Sequence, residues 1–241
     1  MCVNKSRLLL LGGAIVAAAI VAVVLIVVLP SGSGSGAAET MTATASTPQS
    51  TTPVTITDIL TGIPQHGDTL GRASAPATIT IFEDPQCPFC RDWMLQTFGT
   101  VVTDYVRTGK VKLVYRGIEI IGPNSEPGLR AIYAAGQQNK LWNMVEAMYR
   151  LQGAENSGWI TESTVRTAAH SAGANADAIL AAMNANSVTA KLNQAARQSQ
   201  TDKVQGTPAF VVVKPPAQAQ MLNLPALDAA TFESALNAAL Q

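Results

Sequence analysis

Two cysteines between a β-rich run and a helical pattern constrain the fold of this chain more than any other feature. The run from Ala77 to Phe82 is short, apolar and partly β-branched, which is typical of a buried strand. From Pro88 to Val106 the apolar residues follow helical spacing, and Gly109 gives a stop signal. The sequence therefore predicts that Cys87 and Cys90 lie where a strand ends and a helix begins.

Two further β-rich runs follow, at Lys110 to Ile121 and at Ala209 to Val213. A long stretch rich in Ala and Gln separates them, and Gly153, Gly158 and Gly173 interrupt it. We expect four or five helices in this stretch, covering one side of a sheet. Strands that alternate with helical patterns predict an α/β domain.

The spacing of the two cysteines predicts different roles for them. Pro88 suits the first position of a helix, so Cys87 is expected to be the N-cap. Its sulfur would then face the free amides of the first turn, which with the helix dipole favour a thiolate. Cys90 lies one turn further on, beneath Cys87. This pattern favours Cys87 as a nucleophile and Cys90 as the thiol that resolves a mixed disulfide.

Three other interpretations of the pair remain open at this stage, namely a structural disulfide, a zinc site and a chance occurrence of this spacing. A structural disulfide would close so small a loop that it removes little entropy from the unfolded chain. A zinc site normally needs four ligands. After the first apolar segment the only Cys and His residues are Cys87, Cys90, His66 and His170. Redox chemistry is therefore favoured, and neither a metal nor a cofactor is expected.

The stretch from Leu8 to Leu29 contains no charged residue and exceeds the roughly 20 residues that cross a bilayer. Lys5 and Arg7 precede it, so the positive-inside rule leaves the N-terminus in the cytoplasm. Residues 1–30 are thus predicted to form a cytoplasmic tip and a single membrane anchor. The alternative is a cleaved secretory signal, and in both cases the rest of the chain lies outside the cytoplasm.

Residues 31–56 are dominated by Ser, Thr, Gly, Ala and Pro, a composition typical of a flexible tether. The folded domain is expected to occupy residues 57–241. Lys and Arg together number 16, as do Asp and Glu, so the composition provides no large basic surface. This balance argues against a nucleic acid partner.

A proline directly precedes the last β-rich run, in the sequence Gly-Thr-Pro at 206–208. Because proline cannot donate to a central ladder, Pro208 is expected at the first position or at the edge of the strand. Only about 5 to 6% of bonds before proline in folded proteins are cis. The residues by themselves therefore favour a trans bond between Thr207 and Pro208.

The motif Cys-Pro-Phe-Cys at 87–90, the Gly-Thr-Pro at 206–208 and the helical stretch between them resemble the DsbA family of thioredoxin-fold oxidoreductases. The likeness extends from about Gly62 to Gln241. It implies a thioredoxin fold with a helical domain inserted at about residues 123–203, preceded by the single transmembrane helix. It also implies a cis bond between Thr207 and Pro208, facing the sulfurs.

The resemblance further implies a redox-active disulfide, with Cys87 as nucleophile and Cys90 as resolving thiol. An extended substrate segment would pair with the backbone of Thr207, as in strand addition. The implied substrate-binding residues are Pro88, Phe89, Thr207 and Pro208. The implied partners are exported proteins with thiols and a membrane redox partner that reoxidises the enzyme.

Two positions depart from the pattern of the family. The best-known DsbA enzymes have a histidine where this chain has Phe89, which bears on its oxidising strength. Relatives often bury an acid six residues before the nucleophile, and Ile81 occupies that place here. Glu83 or Asp84 is either a substitute proton relay for Cys90 or a structural residue.

Three functions follow as hypotheses. The first is an oxidase that donates the Cys87–Cys90 disulfide to exported proteins. The second is a disulfide reductase or isomerase that a membrane electron donor keeps reduced. The third is a non-enzymatic surface module with a structural disulfide.

Overall fold

The computed structural model describes residues 58–241, and the fold is presented for that part of the chain. The predicted membrane anchor at 1–30 and the predicted tether at 31–56 lie outside the described residues. Among residues 58–241, no helix is both long enough and apolar enough to cross a membrane.

The strands of the described part form one six-stranded mixed sheet in the order β1-β2-β4-β3-β5-β6. They are Gln65–His66 (β1), Thr69–Leu70 (β2), Ala77–Glu83 (β3), Val111–Gly117 (β4), Ala209–Val213 (β5) and Gln220–Met221 (β6). At the centre, β3 pairs in parallel with β4 and antiparallel with β5. All three predicted strands are present. The two-residue strands β1, β2 and β6 were not predicted, because they carry no comparable apolar pattern.

The second predicted strand ends earlier than the sequence indicates, at Gly117 rather than at Ile121. Beyond it, the backbone N–H groups of Ile120 and Ile121 donate to the carboxylate of Asp84. These N–H groups therefore bond to a side chain and do not pair with a neighbouring strand.

The helices that the structure describes begin at the cysteine pair. They are Pro88–Gln96 (α1), Phe98–Val101 (α2), Glu126–Gly136 (α3), Leu141–Arg150 (α4), Glu162–Ser171 (α5), Ala176–Ala182 (α6), Asn186–Thr201 (α7) and Ala229–Ala239 (α8). Short 3₁₀ turns cover Asp58–Leu60 and Pro123–Ser125, and a wider π-helical turn covers Val102–Val106.

The helix predicted over 88–106 is interrupted at Thr97. This residue has φ −111°, outside the usual helical range, and its hydroxyl donates to the carbonyl of Leu227. The break therefore depends on a contact with a residue far along the chain. The inserted helical stretch is as predicted, since α3 to α7 are five helices within the described residues.

An aromatic cluster joins the helices to the sheet. The ring of Trp93 in α1 lies 4.9 Å from that of Phe210 in β5 and 5.7 Å from that of Phe232 in α8. Trp142 of α4 stacks on Phe98, with ring centroids 5.7 Å apart. Because such rings bury large areas, this cluster fixes α1 between the sheet and the inserted helices.

An ion cluster joins the inserted helices to the side of the sheet formed by β1, β2 and β4, with Asp68 and Arg116 buried and Lys191 partly exposed. Asp68, in the turn between β1 and β2, accepts from Arg116 of β4 at 2.6 Å and from Lys191 of α7 at 2.9 Å. Arg116 also donates to Gln198 of α7 at 2.6 Å. Burial tends to raise the pKa of Asp68, but its hydrogen bond with Lys191 and the charge of Arg116 outweigh this and lower it.

Candidate active site

The junction between β3 and α1 places both cysteines at the carboxyl end of the central strand. Cys87 is the N-cap of α1, with φ −71° and ψ 118°, and Pro88 is in the first turn. The sulfur of Cys87 accepts a hydrogen bond from the backbone N–H of Cys90 at 3.3 Å. The predicted cap position of Cys87 is therefore confirmed.

This environment makes Cys87 acidic. A hydrogen bond from the Cys90 thiol is the largest influence, burial opposes it, and Thr207 together with the backbone N–H groups of Cys90 and Phe89 assists it. The net result lowers the pKa of Cys87 to about 6. At neutral pH the group is mostly a thiolate, which is the nucleophilic form of cysteine.

Cys90 has the opposite character. It is fully buried, and burial raises its pKa well above the ordinary range of a thiol. Its hydrogen bond with Cys87 and the carboxyl of Glu83 raise it further. The structure contains both cysteines as free thiols. A thiolate above and a neutral thiol one turn below are the two groups that thiol–disulfide exchange uses in sequence.

The segment before β5 faces this pair. The carbonyl oxygen of Thr207 lies 3.2 Å from the sulfur of Cys87. The bond between Thr207 and Pro208 is cis, as the resemblance implies and contrary to the trans bond that the residues alone favour. Phe89 projects beside the cysteines with 63% of its surface exposed. The structure therefore brings all the predicted site residues together at the carboxyl end of the central strand β3.

Asp84 organises the loops around the site. Its carboxylate is fully buried and accepts hydrogen bonds at 2.6 to 2.9 Å from the backbone N–H groups of Gln86, Ile120 and Ile121 and from the hydroxyl of Ser125. The side chain therefore holds the loop before Cys87 against the loop after β4. These contacts support the structural interpretation of Asp84.

Residues of the inserted helical domain also hold the cysteine loop, and sequence reasoning missed them. Gln152 donates to the carbonyl of Cys87 at 3.0 Å, and the hydroxyl of Tyr149 donates to the carbonyl of Asp84 at 3.1 Å. The side chain of Gln86 accepts from the backbone N–H of Asn156 at 2.8 Å. Single polar residues in an Ala- and Gln-rich stretch give no signal in one sequence that could have identified them.

In the described part of the chain, no group of three or more His, Cys, Asp or Glu side chains is arranged to hold a metal ion. The site consists of the two thiols and the polar groups around them. A thiol pair of unequal acidity at the start of the helix after the central strand, on this fold with its helical insertion, defines a thiol:disulfide oxidoreductase.

Comparison with known proteins agrees with this class. The family model described as Thioredoxin matches residues 65–215, which is more than half of the chain, so the protein belongs to this thioredoxin family. A probable disulfide bond formation protein D from Bacillus cereus is 27% identical over 147 residues, which cover 59% of this chain and 68% of that protein. A Bacillus anthracis protein with the same description is 32% identical over 96 residues, 39% of this chain and 44% of that protein.

Solved structures show the same fold. BdbD from Bacillus subtilis superposes with a TM-score of 0.62 at 18% identity, over 72% of this chain and 92% of that one. A thioredoxin-like oxidoreductase from Silicibacter pomeroyi gives a TM-score of 0.55 at 29% identity, over 76% of this chain and 96% of that one. The thioredoxin fold with an inserted helical domain is therefore confirmed.

Proposed function

We propose that this protein is an extracytoplasmic thiol:disulfide oxidase that donates a Cys87–Cys90 disulfide to exported proteins with thiols. The observation that carries the proposal is the contrast between the two thiols. The pKa of Cys87 is lowered to about 6, and that of Cys90 is raised well above its ordinary range. A low pKa makes Cys87 a good leaving group in the last step of substrate oxidation.

In the proposed cycle a substrate thiolate attacks the sulfur of Cys87 in the enzyme disulfide. The bond between the cysteines breaks, and its electron pair goes to Cys90. A second substrate thiolate then attacks the substrate sulfur of the mixed disulfide and releases the Cys87 thiolate. The substrate is oxidised by two electrons, the enzyme is reduced, and a membrane redox partner would reoxidise it. In the reverse direction Cys87 is the nucleophile and Cys90 resolves the mixed disulfide.

The acidity of Cys87 bears on the direction of exchange. Lowering its pKa from 9.0 to about 6 stabilises the reduced protein at pH 7 by about 1.4 kcal/mol, because only the interval between pKa and pH counts. That free energy raises the potential of a two-electron couple by about 30 mV. The pKa lies between the values of about 7 for thioredoxin and 3.5 for DsbA. We therefore expect a potential between about −270 and −120 mV.

Substrate binding is assigned to Pro88, Phe89, Thr207 and Pro208. The exposed ring of Phe89 offers apolar contact next to Cys87. The Thr207 carbonyl, close to the same sulfur, places a backbone segment where an extended peptide can pair with it. Recognition through the main chain suits many different exported proteins.

Anchoring and location form part of the proposal. The uncharged run from Leu8 to Leu29, preceded by Lys5 and Arg7, supports one membrane crossing with the catalytic domain outside the cytoplasm. Protease added to intact spheroplasts is expected to degrade the catalytic domain. Complete protection of the domain would contradict this topology.

The reduction potential tests the proposed direction. The full-length protein would be equilibrated with glutathione buffers, followed by counting of free thiols. A potential at or below that of thioredoxin would instead favour the reductase or isomerase. Resistance of the disulfide to glutathione would favour a structural bond in a non-enzymatic module.

A further inference from the structure

Gln152 reaches the cysteine loop from the inserted helical domain, and the exchange cycle described above gives it no role. It lies just after α4 and is partly buried. Its side-chain nitrogen donates to the carbonyl of Pro85 at 2.9 Å and to that of Cys87 at 3.0 Å. A glutamine amide has two N–H donors, so both serve the same short stretch of backbone. A single side chain therefore joins the end of α4 to the residue that carries the nucleophilic sulfur.

The loop before Cys87 receives other hydrogen bonds from the inserted domain. The hydroxyl of Tyr149, in α4, donates to the carbonyl of Asp84 at 3.1 Å. The side chain of Gln86 accepts from the backbone N–H of Asn156 at 2.8 Å. These two bonds hold the loop up to the residue before the nucleophile, and the orientation of the nucleophile itself depends on the next torsions of the chain.

The two carbonyls that Gln152 binds lie on opposite sides of the bond that orients the sulfur. Rotation about the Cα–C bond of Cys87 turns its sulfur relative to the free amides at the start of α1. The Pro85 carbonyl precedes this bond in the chain, and the Cys87 carbonyl follows it. Because one nitrogen holds both carbonyls, rotation would break at least one of the two hydrogen bonds. Gln152 therefore maintains the observed ψ of 118° at Cys87.

This torsion matters because the sulfur of Cys87 depends on the amides of α1. Its sulfur accepts from the backbone N–H of Cys90 at 3.3 Å. The Cys90 thiol has the largest lowering effect on the pKa of Cys87, and the backbone N–H groups of Cys90 and Phe89 add to it. A hydrogen bond to a charged sulfur is strong only while the donor stays close and aligned. The bonds of Gln152 are to the backbone, so its influence on the thiolate passes through the orientation of Cys87.

We propose that Gln152 is a positioning residue for disulfide exchange, which bridges the carbonyls of Pro85 and Cys87 and so holds the Cys87 sulfur against the N–H groups at the start of α1. The proposal rests on the proposed function in taking Cys87 as the exchanging thiol. The inserted helical domain then stabilises the thiolate form of the nucleophile in addition to covering the sheet. Without Gln152 the reduced protein should be less stable relative to the disulfide, because the thiolate exists only in the reduced form.

The acidity of Cys87 in a Gln152 variant tests the proposal. Gln152→Met keeps the length of the side chain and removes both donors. In the reduced full-length protein, the pH dependence of alkylation by iodoacetamide, followed at the peptide that carries Cys87, gives its pKa. We expect the pKa to rise from about 6 by about one unit, the effect of losing about one N–H donor to the thiolate. The alkylation rate at pH 6 should fall about fivefold, and the glutathione equilibrium at pH 7 should shift about fivefold toward the disulfide.

Gln138→Met is the matched control. Gln138 belongs to the same inserted domain, but its side chain bonds to the backbone N–H and carbonyl of Asn175 instead of the cysteine loop. This variant should keep the Cys87 pKa and the glutathione equilibrium of the natural protein. A merely structural loss would lower the free energy of unfolding without moving either quantity. The titratable groups that face Cys87 are unchanged in both variants, namely Glu83 of β3, Cys90 of α1 and Tyr149 of α4.

Each result decides a different question. A Gln152→Met protein with the natural pKa and glutathione equilibrium would overturn the positioning role, and so would an equal shift in Gln138→Met. If Gln152→Met does not fold, Gln152→Glu replaces the donor nitrogen by an acceptor oxygen at the same partly exposed position. An unchanged pKa of Cys87 in that variant would also overturn the role. A natural protein with a potential at or below that of thioredoxin would remove the proposed oxidase, whereas the positioning of Cys87 by Gln152 would stand.

Discussion

Glu83 and Asp84 are consecutive, fully buried acids at the end of β3, but their surroundings are opposite. Asp84 accepts hydrogen bonds from three backbone N–H groups and a hydroxyl. Glu83 accepts none from any described residue. Hydrogen-bond donors surround Asp84, and through them its carboxyl holds the neighbouring loops in place. No described donor reaches Glu83, and burial raises the pKa of its carboxyl, which favours the neutral acid. Hydrogen bonding, more than burial, therefore distinguishes a structural acid from one available for chemistry.

The two cysteines repeat the contrast, and substituting them should give the largest effect. Cys87→Ser should reduce disulfide exchange to the uncatalysed level, because the thiolate that the N–H donors stabilise is lost. Cys90→Ser should accumulate mixed disulfides between Cys87 and substrates, visible as larger species on non-reducing gels, because Cys90 can no longer attack the Cys87 sulfur. If iodoacetamide at mildly acid pH alkylated Cys90 before Cys87, the roles would be reversed.

Substituting the two acids should separate their effects on stability. Asp84→Ala leaves its four donors without an acceptor and should lower the free energy of unfolding by about 3 to 5 kcal/mol. Glu83→Gln keeps shape and neutrality, so its free energy of unfolding should change by less than about 1 kcal/mol. Urea unfolding of the reduced proteins measures both. An equal loss of unfolding free energy in the two variants would contradict the prediction that Asp84 contributes more to stability than Glu83.

The thiolate of Cys87 should make the stability of the reduced protein depend on pH. Its folded pKa of about 6 is below the unfolded value near 9, so its contribution is complete above about pH 9 and is lost as pH falls through 6. Between pH 5 and pH 7 the reduced protein should gain about 1.4 kcal/mol relative to the oxidised protein. The measurement is the unfolding free energy of the reduced protein minus that of the oxidised protein at each pH. This difference isolates the contribution of Cys87, because the carboxyl groups titrate in both proteins and cancel. A difference that does not change with pH would contradict the low pKa.

The smallest expected effect concerns Phe89. Because its side chain is 63% exposed, Phe89→His should cost little stability and place a cationic ring near the Cys87 thiolate. Solvent screens that charge, so we expect the pKa of Cys87 to fall by less than about one unit and the potential to rise by less than about 30 mV. The pH dependence of alkylation gives the pKa, with Phe89→Leu as the control. The same shift in both variants would assign it to the loss of the aromatic ring.

The sequence was sufficient to predict features that depend on neighbouring residues. The cap position of Cys87 follows from Pro88 and the strand before it. Features that depend on distant contacts were not visible. The early end of β4 depends on Asp84, and the break at Thr97 depends on the carbonyl of Leu227.

The same limit applies to the site. A sequence shows that Glu83 is an acid four residues before Cys87, but not whether its oxygens find donors. That outcome depends on how the strands and helices pack around the end of β3, where no described group donates to the Glu83 oxygens. The role of Glu83 is therefore undecided from sequence, whereas the position of Cys87 at the start of a helix could be predicted from it.

The ion cluster at Asp68 should make the inserted helices and the sheet unfold together. One carboxylate is shared by a turn of the sheet, the strand β4 and the helix α7, so separating the inserted helices from the sheet would leave buried charges without partners. Amide protons of α7 and β4 should therefore exchange with deuterium in one cooperative event near neutral pH. As acid protonates Asp68, whose pKa is lowered in the folded protein, the two regions should begin to exchange at separate rates.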